Sequence, residues 1–124
     1  MGMTPRQDQS GDKDKQLHIT HAGADIVRST LVECAGVAMM SSAKDTDLKL
    51  KGLRIAMRGG KIARKKAKVA VARGLAVAML ALLKDPGREY VPLSEEGRIG
   101  FERYRAEMEY LTMSKAAKMA KRSA

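Results

Sequence analysis

The stretch GGKIARKKAKVAVARGLAVAMLALLK, residues 59–84, is the one whose reading decides the fold. After the paired glycines Gly59-Gly60 it is built almost wholly from Ala, Lys, Arg, Leu and Met, the strongest helix formers, with β-branched residues only in isolation. It predicts a helix from about Ile62 to Lys84, roughly six turns long. The two halves of that helix differ. Residues 61–73 are basic on nearly every position that an apolar stripe leaves free, whereas Leu75 to Leu83 is hydrophobic all round. A helix segment apolar on every face is expected to be buried against other helices or another chain. Asp85-Pro86-Gly87 ends it.

Working outward, Leu48, Leu50, Leu53, Ile55 and Met57 make a preceding helix that stops at Gly59-Gly60 and starts at a cap supplied by Asp45 or Thr46. Ile26, Val27, Leu31, Cys34, Ala35 and Ala38 recur at three- and four-residue steps and predict a first helix from about Ala24 to Met40. Ser94, followed by Glu95 and Glu96, is a capping hydroxyl with carboxylates at the positive end of a fourth helix, whose apolar positions are Ile99, Phe101, Tyr104, Met108 and Leu111. Gly2, Pro5, Gly11 and Gly23 lie among Gln, Asp and Lys with no sustained period. The expected architecture is all-α: a flexible loop over residues 1–23, a small irregular bundle of about four helices over 24–111, and a basic disordered tail over 112–124.

The chain has 124 residues, enough for one domain or part of one. Three Tyr, one Phe and no Trp leave any core aliphatic. Cys34 is alone, which excludes a disulfide scaffold and argues against a secreted protein. No apolar run reaches the roughly 18 residues that span a bilayer, and Pro5, Arg6, Asp8 and Asp12 stand where a signal peptide would be apolar. The formal charge is +10, and it is localised: residues 61–84 hold seven cations (Lys61, Arg64, Lys65, Lys66, Lys68, Arg73 and Lys84) and no acid. Such an excess is the footprint of phosphate binding, in competition with the plainer reading of a solvated helix face.

By spacing alone no catalytic constellation emerges. There is no P-loop, no dinucleotide fingerprint and no zinc-type ligand set; His18 and His21 have no third ligand nearby. Cys34 reads as a small buried hydrophobe, and Glu33, Asp45 and Asp47 form no recognisable acid–base pair. Ser10, in Gln9-Ser10-Gly11, reads as a turn residue.

A resemblance changes the weight of that serine. Gly2-Met3-Thr4-Pro5-Arg6, Gln9-Ser10-Gly11, Ile19-Thr20 with Gly23, and Arg28 before Leu31-Val32-Glu33-Cys34-Ala35 occur in one order. Lys66-Ala67-Lys68-Val69-Ala70-Val71-Ala72-Arg73 and Leu75-Ala76-Val77 follow them. Over residues 2–92 this pattern resembles the C-terminal domain of the serine transposases of insertion-sequence family one-ten, the bridge-RNA-guided recombinases. The resemblance implies a split active site. A resolvase-like N-terminal domain with four acidic residues holds a divalent metal, magnesium, and the C-terminal domain supplies the serine that attacks the DNA phosphodiester. Ser10 matches that serine. This chain itself holds no cofactor in that reading, and it is expected to be a truncated C-terminal piece. The sequence also departs from the family pattern. Asp8, Leu17-His18, His21 and Ala24 replace usual residues, and Gly74 stands where a lysine is usual, a mid-helix glycine costing about 1 kcal/mol against alanine. These departures read as a relaxed or divergent sequence.

The resulting expectation is a fragment of a transposase acting in DNA strand exchange and transposition. Ser10 is the nucleophile, Arg6 and Lys13 hold phosphate beside it, and Arg58, Lys61, Arg64, Lys65, Lys66, Lys68 and Arg73 contact a DNA or guide-RNA backbone. Its partners are DNA, bridge RNA and further copies of the full-length protein, with no membrane, in the bacterial cytoplasm and on the nucleoid when bound. The alternatives are a stand-alone basic helical module that binds nucleic acid without catalysis, and an amphipathic helical protein that binds a membrane or a partner through residues 75–83. No aromatic platform for stacking bases is evident in the basic stretch.

Overall fold

A computed structural model describes Met3 and residues 5–10, 13–19 and 23–123. The all-helical bundle forms from four helices, α1 (Asp25–Ala38), α2 (Asp47–Ala56), α3 (Gly60–Lys84) and α4 (Glu95–Ser123). Where a loop was expected ahead of them, strands β1 (Pro5–Ser10) and β2 (Lys13–Ile19) pair antiparallel, with Ser10 opposite Lys13 and an irregularity between Pro5 and Gln7. The strands carry mostly Gln, Asp and Lys, so no apolar alternation marks them in the sequence. The signal that does exist is the two-residue separation by Gly11 and Asp12, a length and composition that tight hairpins favour.

The bundle is organised around α3, which packs against both α1 and α2, while α4 packs on the far side of α2. Leu31 and Ala35 of α1 meet Val71, Ala72 and Ala76 of α3, and Met3 completes this cluster from the start of the chain. The helices approach closely because the contact residues are small. A Cβ placed on Gly52 of α2 would lie 2.6 Å from Cγ2 of Val71 and 3.0 Å from the sulfur of Met39. Gly74 of α3 is equally crowded by Leu48, and Gly100 of α4 by Leu50 and Arg54. These pairs run α2 antiparallel to α3 and parallel to α4. Gly74 is therefore a packing residue, not a sign of relaxed sequence: its lack of a side chain makes room for Leu48.

The helix starts behave as their residues dictate. Thr46, not Asp45, caps α2, its hydroxyl accepting from Lys49 N–H at 3.1 Å. Ser94 caps α4, its hydroxyl accepting from Gly97 N–H at 3.0 Å. The two caps are tied together: Asp47 N–H donates to the Pro92 carbonyl at 2.9 Å, and Ser94 N–H donates to the Asp47 carboxylate at 3.2 Å. Asp45 instead bridges elements, pairing with Lys49 and, at 2.6 Å, with Arg105 of α4. Lys49 is buried, and its ammonium donates to Asp45 and to the Ala43 carbonyl, so the charge is compensated where water is excluded.

Two further expectations change, and the burial expected of the apolar half of α3 is met within this chain on one side only. Residues 112–123 continue α4 rather than forming a disordered tail, because Met, Lys and Ala propagate a helix and nothing after Gly100 breaks it. Cys34 is exposed; the core stripe of α1 is Leu31 and Ala35, with Val32, Ala38 and Met39 beside it, and Cys34 lies one residue off it. In the apolar half of α3, Ala76 is buried but Val77, Met79, Leu80 and Leu83 are exposed, as are Ile26 and Val27 of α1. The described residues cover only one side of that half-helix, so its apolar character exceeds what the bundle uses.

Replacing an exposed mid-helix glycine by alanine ordinarily stabilises a helix by about 1 kcal/mol. Gly52→Ala is expected to do the reverse, lowering the free energy of urea unfolding by about 1–3 kcal/mol, because the fully buried, β-branched Val71 has no room to yield. An unchanged or raised midpoint would mean that α2 and α3 are not held at this separation.

Candidate nucleic-acid interface

The basic half of α3 is assembled by two features of the chain. Gly59, at φ 87°, ends the turn after α2 in a backbone conformation that side-chain-bearing residues rarely adopt. The helix then starts without a side-chain cap. Ala63, Ala67 and Val71 recur every four residues and are buried, which leaves the intervening positions to solvent. Lys61, Arg64, Lys65 and Lys68 stand at i, i+3, i+4 and i+7 on one side of the helix, and Lys66 with Arg73, seven apart, on another. All six are exposed, and Arg58 is exposed in the turn just before. Lys68 extends along α1, its Nζ 3.7 Å from where a Cβ on Gly36 would be.

Electrostatically this is an unfavourable way to build a helix. The first turn of α3 contains no acid. The start of a helix carries about half a positive charge from its unpaired N–H groups, so cations there cost about 0.3–1 kcal/mol each instead of stabilising. Nor is the charge neutralised by neighbours: the four ion pairs among the described residues use Arg28, Lys49, Arg98 and Arg105, and none of the cations from Arg58 to Arg73. Five cations within residues 61–68, backed by a positive dipole end, make a concentrated anion-attracting face.

The arrangement brings in cations that the sequence reading passed over. Arg64 shares a groove with Lys115 of α4, floored by Leu53, Met57, Tyr104 and Met108. Reading α4 as ending near residue 111 hid Lys115; the unbroken helix-forming run to Ser123 was the available signal. Arg73 stands apart from the cluster and lines a different cavity with Lys51 and Arg88. Of the remaining expected site residues, Ser10 is the last residue of β1 and Lys13 the first of β2, opposed in register at the end of the hairpin, with Arg6 near its irregular end. The side chains of these three lie outside the described residues. Among the described residues no three His, Cys, Asp or Glu side chains converge as metal ligands, and no helix is long and apolar enough to cross a membrane.

Comparison with known proteins bears on the first part of this frame. Residues 1–50 match the model of the transposase IS116/IS110/IS902 family. The matched span takes in the hairpin, α1 and the first residues of α2. It includes Gln9-Ser10-Gly11 and Leu31 to Ala35 and stops short of the basic half-helix, which the resemblance over residues 2–92 was expected to include. No curated protein and no solved structure matches the chain.

The inverted charge at the start of α3 has a measurable consequence. Lys61→Glu is expected to raise stability to urea by about 0.3–1 kcal/mol by complementing the helix dipole, and Lys84→Glu, at the other end of α3, to lower it by a similar amount. Equal or lower stability in Lys61→Glu would show that this cation is held by favourable contacts within the fold.

Proposed function

We propose that this chain is the part of a transposase that grips nucleic acid and presents a serine for DNA strand exchange. The reading rests on one coincidence: a segment similar to a transposase family, carrying Gln9-Ser10-Gly11, is followed by an uncompensated cation cluster at the positive end of α3. A fold that only needed stability would place acids there. Lys and Arg held on one rigid helix are suited to phosphates, which fix position without reading sequence. Sequence choice then falls to a guide RNA, as the resemblance implies, and the cation cluster serves its backbone as readily as that of DNA.

In the chemical step, the Ser10 hydroxyl oxygen attacks phosphorus, and the bond from phosphorus to one DNA oxygen breaks. The cut strand leaves with a free hydroxyl, and the serine oxygen keeps the phosphodiester as a covalent adduct. The serine proton passes to a base or to the leaving oxygen. Attack by a hydroxyl from another strand reverses the step and completes the exchange. A serine hydroxyl is a weak nucleophile near its free pKa and needs an adjacent base or a metal. Carboxylates and magnesium supplied by a resolvase-like domain would meet that need, and pairing of full-length copies would bring two strands together.

Two results are expected. The logarithm of affinity for duplex DNA falls linearly with the logarithm of salt concentration, and the double variant Lys65→Glu, Lys66→Glu flattens the slope by about two; an unchanged slope would place the contacts elsewhere. Together with a resolvase-like domain and magnesium, the chain forms a denaturation-resistant adduct with DNA, and Ser10→Ala forms none. An adduct that persists in Ser10→Ala would remove this serine from the mechanism. Salt-dependent binding with no adduct under any condition would leave a binding module without catalysis.

A further inference from the structure

A cavity of about 700 Å³ lies between α2, α3 and the connection that follows α3, away from Lys61 and Lys68. Val77, Ala78 and Leu82 of α3 give it an apolar lining, with Leu48 packed over Gly74 beside them. Its walls carry three cations from three different elements: Lys51 of α2, Arg73 of α3 and Arg88 of the connection. None of the three enters an ion pair among the described residues. Beside them stands Tyr90, one of only four aromatic residues in the chain, 46% exposed and unburied by any core contact. Glu89 is the single acid of the lining, leaving a net positive site.

We propose that this cavity takes one unstacked nucleobase of a single-stranded DNA or RNA segment, with Tyr90 against the face of the base and Lys51, Arg73 and Arg88 on the flanking phosphates. The inference rests on the nucleic-acid reading above and goes beyond it by separating a base-holding pocket from the phosphate-gripping face. Four observations fit that ligand class. The volume lies in the range of small-molecule pockets and is too small for a duplex. An aromatic face next to an apolar floor takes any base, because every base has a π-face. Three cations from three elements line the same cavity as Tyr90, within reach of phosphates on either side of an inserted base. Lys66 and Arg73 share one side of α3, so a backbone that follows Lys66 leads along the helix to the cavity. The Glu89 carboxylate adds an acceptor for the exocyclic amino group that adenine, guanine and cytosine carry. Bases of an intact duplex are stacked and cannot enter, so the pocket selects single strands.

The test uses the full chain, a single-stranded oligothymidylate carrying one fluorescent purine analogue, and a duplex of the same length. The wild type is expected to quench the analogue and to bind the single strand. Tyr90→Ala is expected to lose the quenching and about tenfold in single-strand affinity while keeping its duplex affinity, which also shows that it folds. Tyr90→Phe is expected to keep both properties, since the ring and not the hydroxyl carries the contact. Wild-type quenching and affinity in Tyr90→Ala, or equal losses for duplex and single strand, would overturn the pocket and leave the phosphate-gripping face intact. Displacement of the oligonucleotide by polyglutamate at equal charge concentration would make the cavity a general polyanion site and overturn the base assignment. Absence of any nucleic-acid binding by the wild type would instead overturn the reading on which the pocket depends.

Discussion

The contact of Gly52 with Val71 sets the spacing on which the other contacts of the bundle depend. Val71 is the largest side chain that is fully buried, and it is accommodated because α2 offers a residue without a Cβ at the point of closest approach. That separation places Leu48 over Gly74 one turn further along, and it holds the other side of α2 where Gly97 and Gly100 of α4 fit against Asp47 and Leu50. An aliphatic core with a single Phe has little area per residue to bury, so close backbone approach and dispersion substitute for large side chains. The crossing hydrogen bonds between Asp47, Pro92 and Ser94 then lock the connection after α3 to the start of α2.

This frame fixes α3 as a rigid rod whose basic half packs one face, Ala63, Ala67 and Val71, into the bundle and turns its cations to solvent. The start is where function departs from stability. Cations occupy a position where acids would stabilise the helix, and they find no partner among the described residues. The energy lost there is recovered only when an anion arrives, and the fold has anchored these side chains on a helix rather than a loop, so that little further ordering accompanies binding. The apolar far half of α3 is a second departure. Met79, Leu80 and Leu83 line an open groove with Ile26 and Val27, more exposed apolar surface than the small bundle itself requires.

Much of this was legible in the sequence, for reasons that differ element by element. Gly59-Gly60 and Asp85-Pro86-Gly87 punctuate α3 unambiguously, and Ser94 reads as a cap because the chemistry of a hydroxyl before two glutamates is local. The hairpin was not legible, because its strands are polar on both faces and pairing is a non-local property. The outcome for Gly74 was opposite in sign to its local reading: a helix propensity counts the cost of the glycine and cannot see Leu48. Ser10, Arg6 and Lys13 were singled out by resemblance alone, and the match to a transposase family covers the segment that contains them. Lys51, Arg88 and Tyr90 were missed because their association with Arg73 spans three elements and has no spacing in the chain.

The central claim is that the basic start of α3 is the nucleic-acid face of this fold, and amide chemical shifts of the isotope-labelled chain titrated with duplex DNA at low salt test it most directly. The account predicts that the largest shifts fall within residues 58–73, with α1 and the end of α3 little changed. Shifts concentrated at Ile26, Val27, Leu80 and Leu83, or spread evenly over every exposed lysine and arginine, would contradict it.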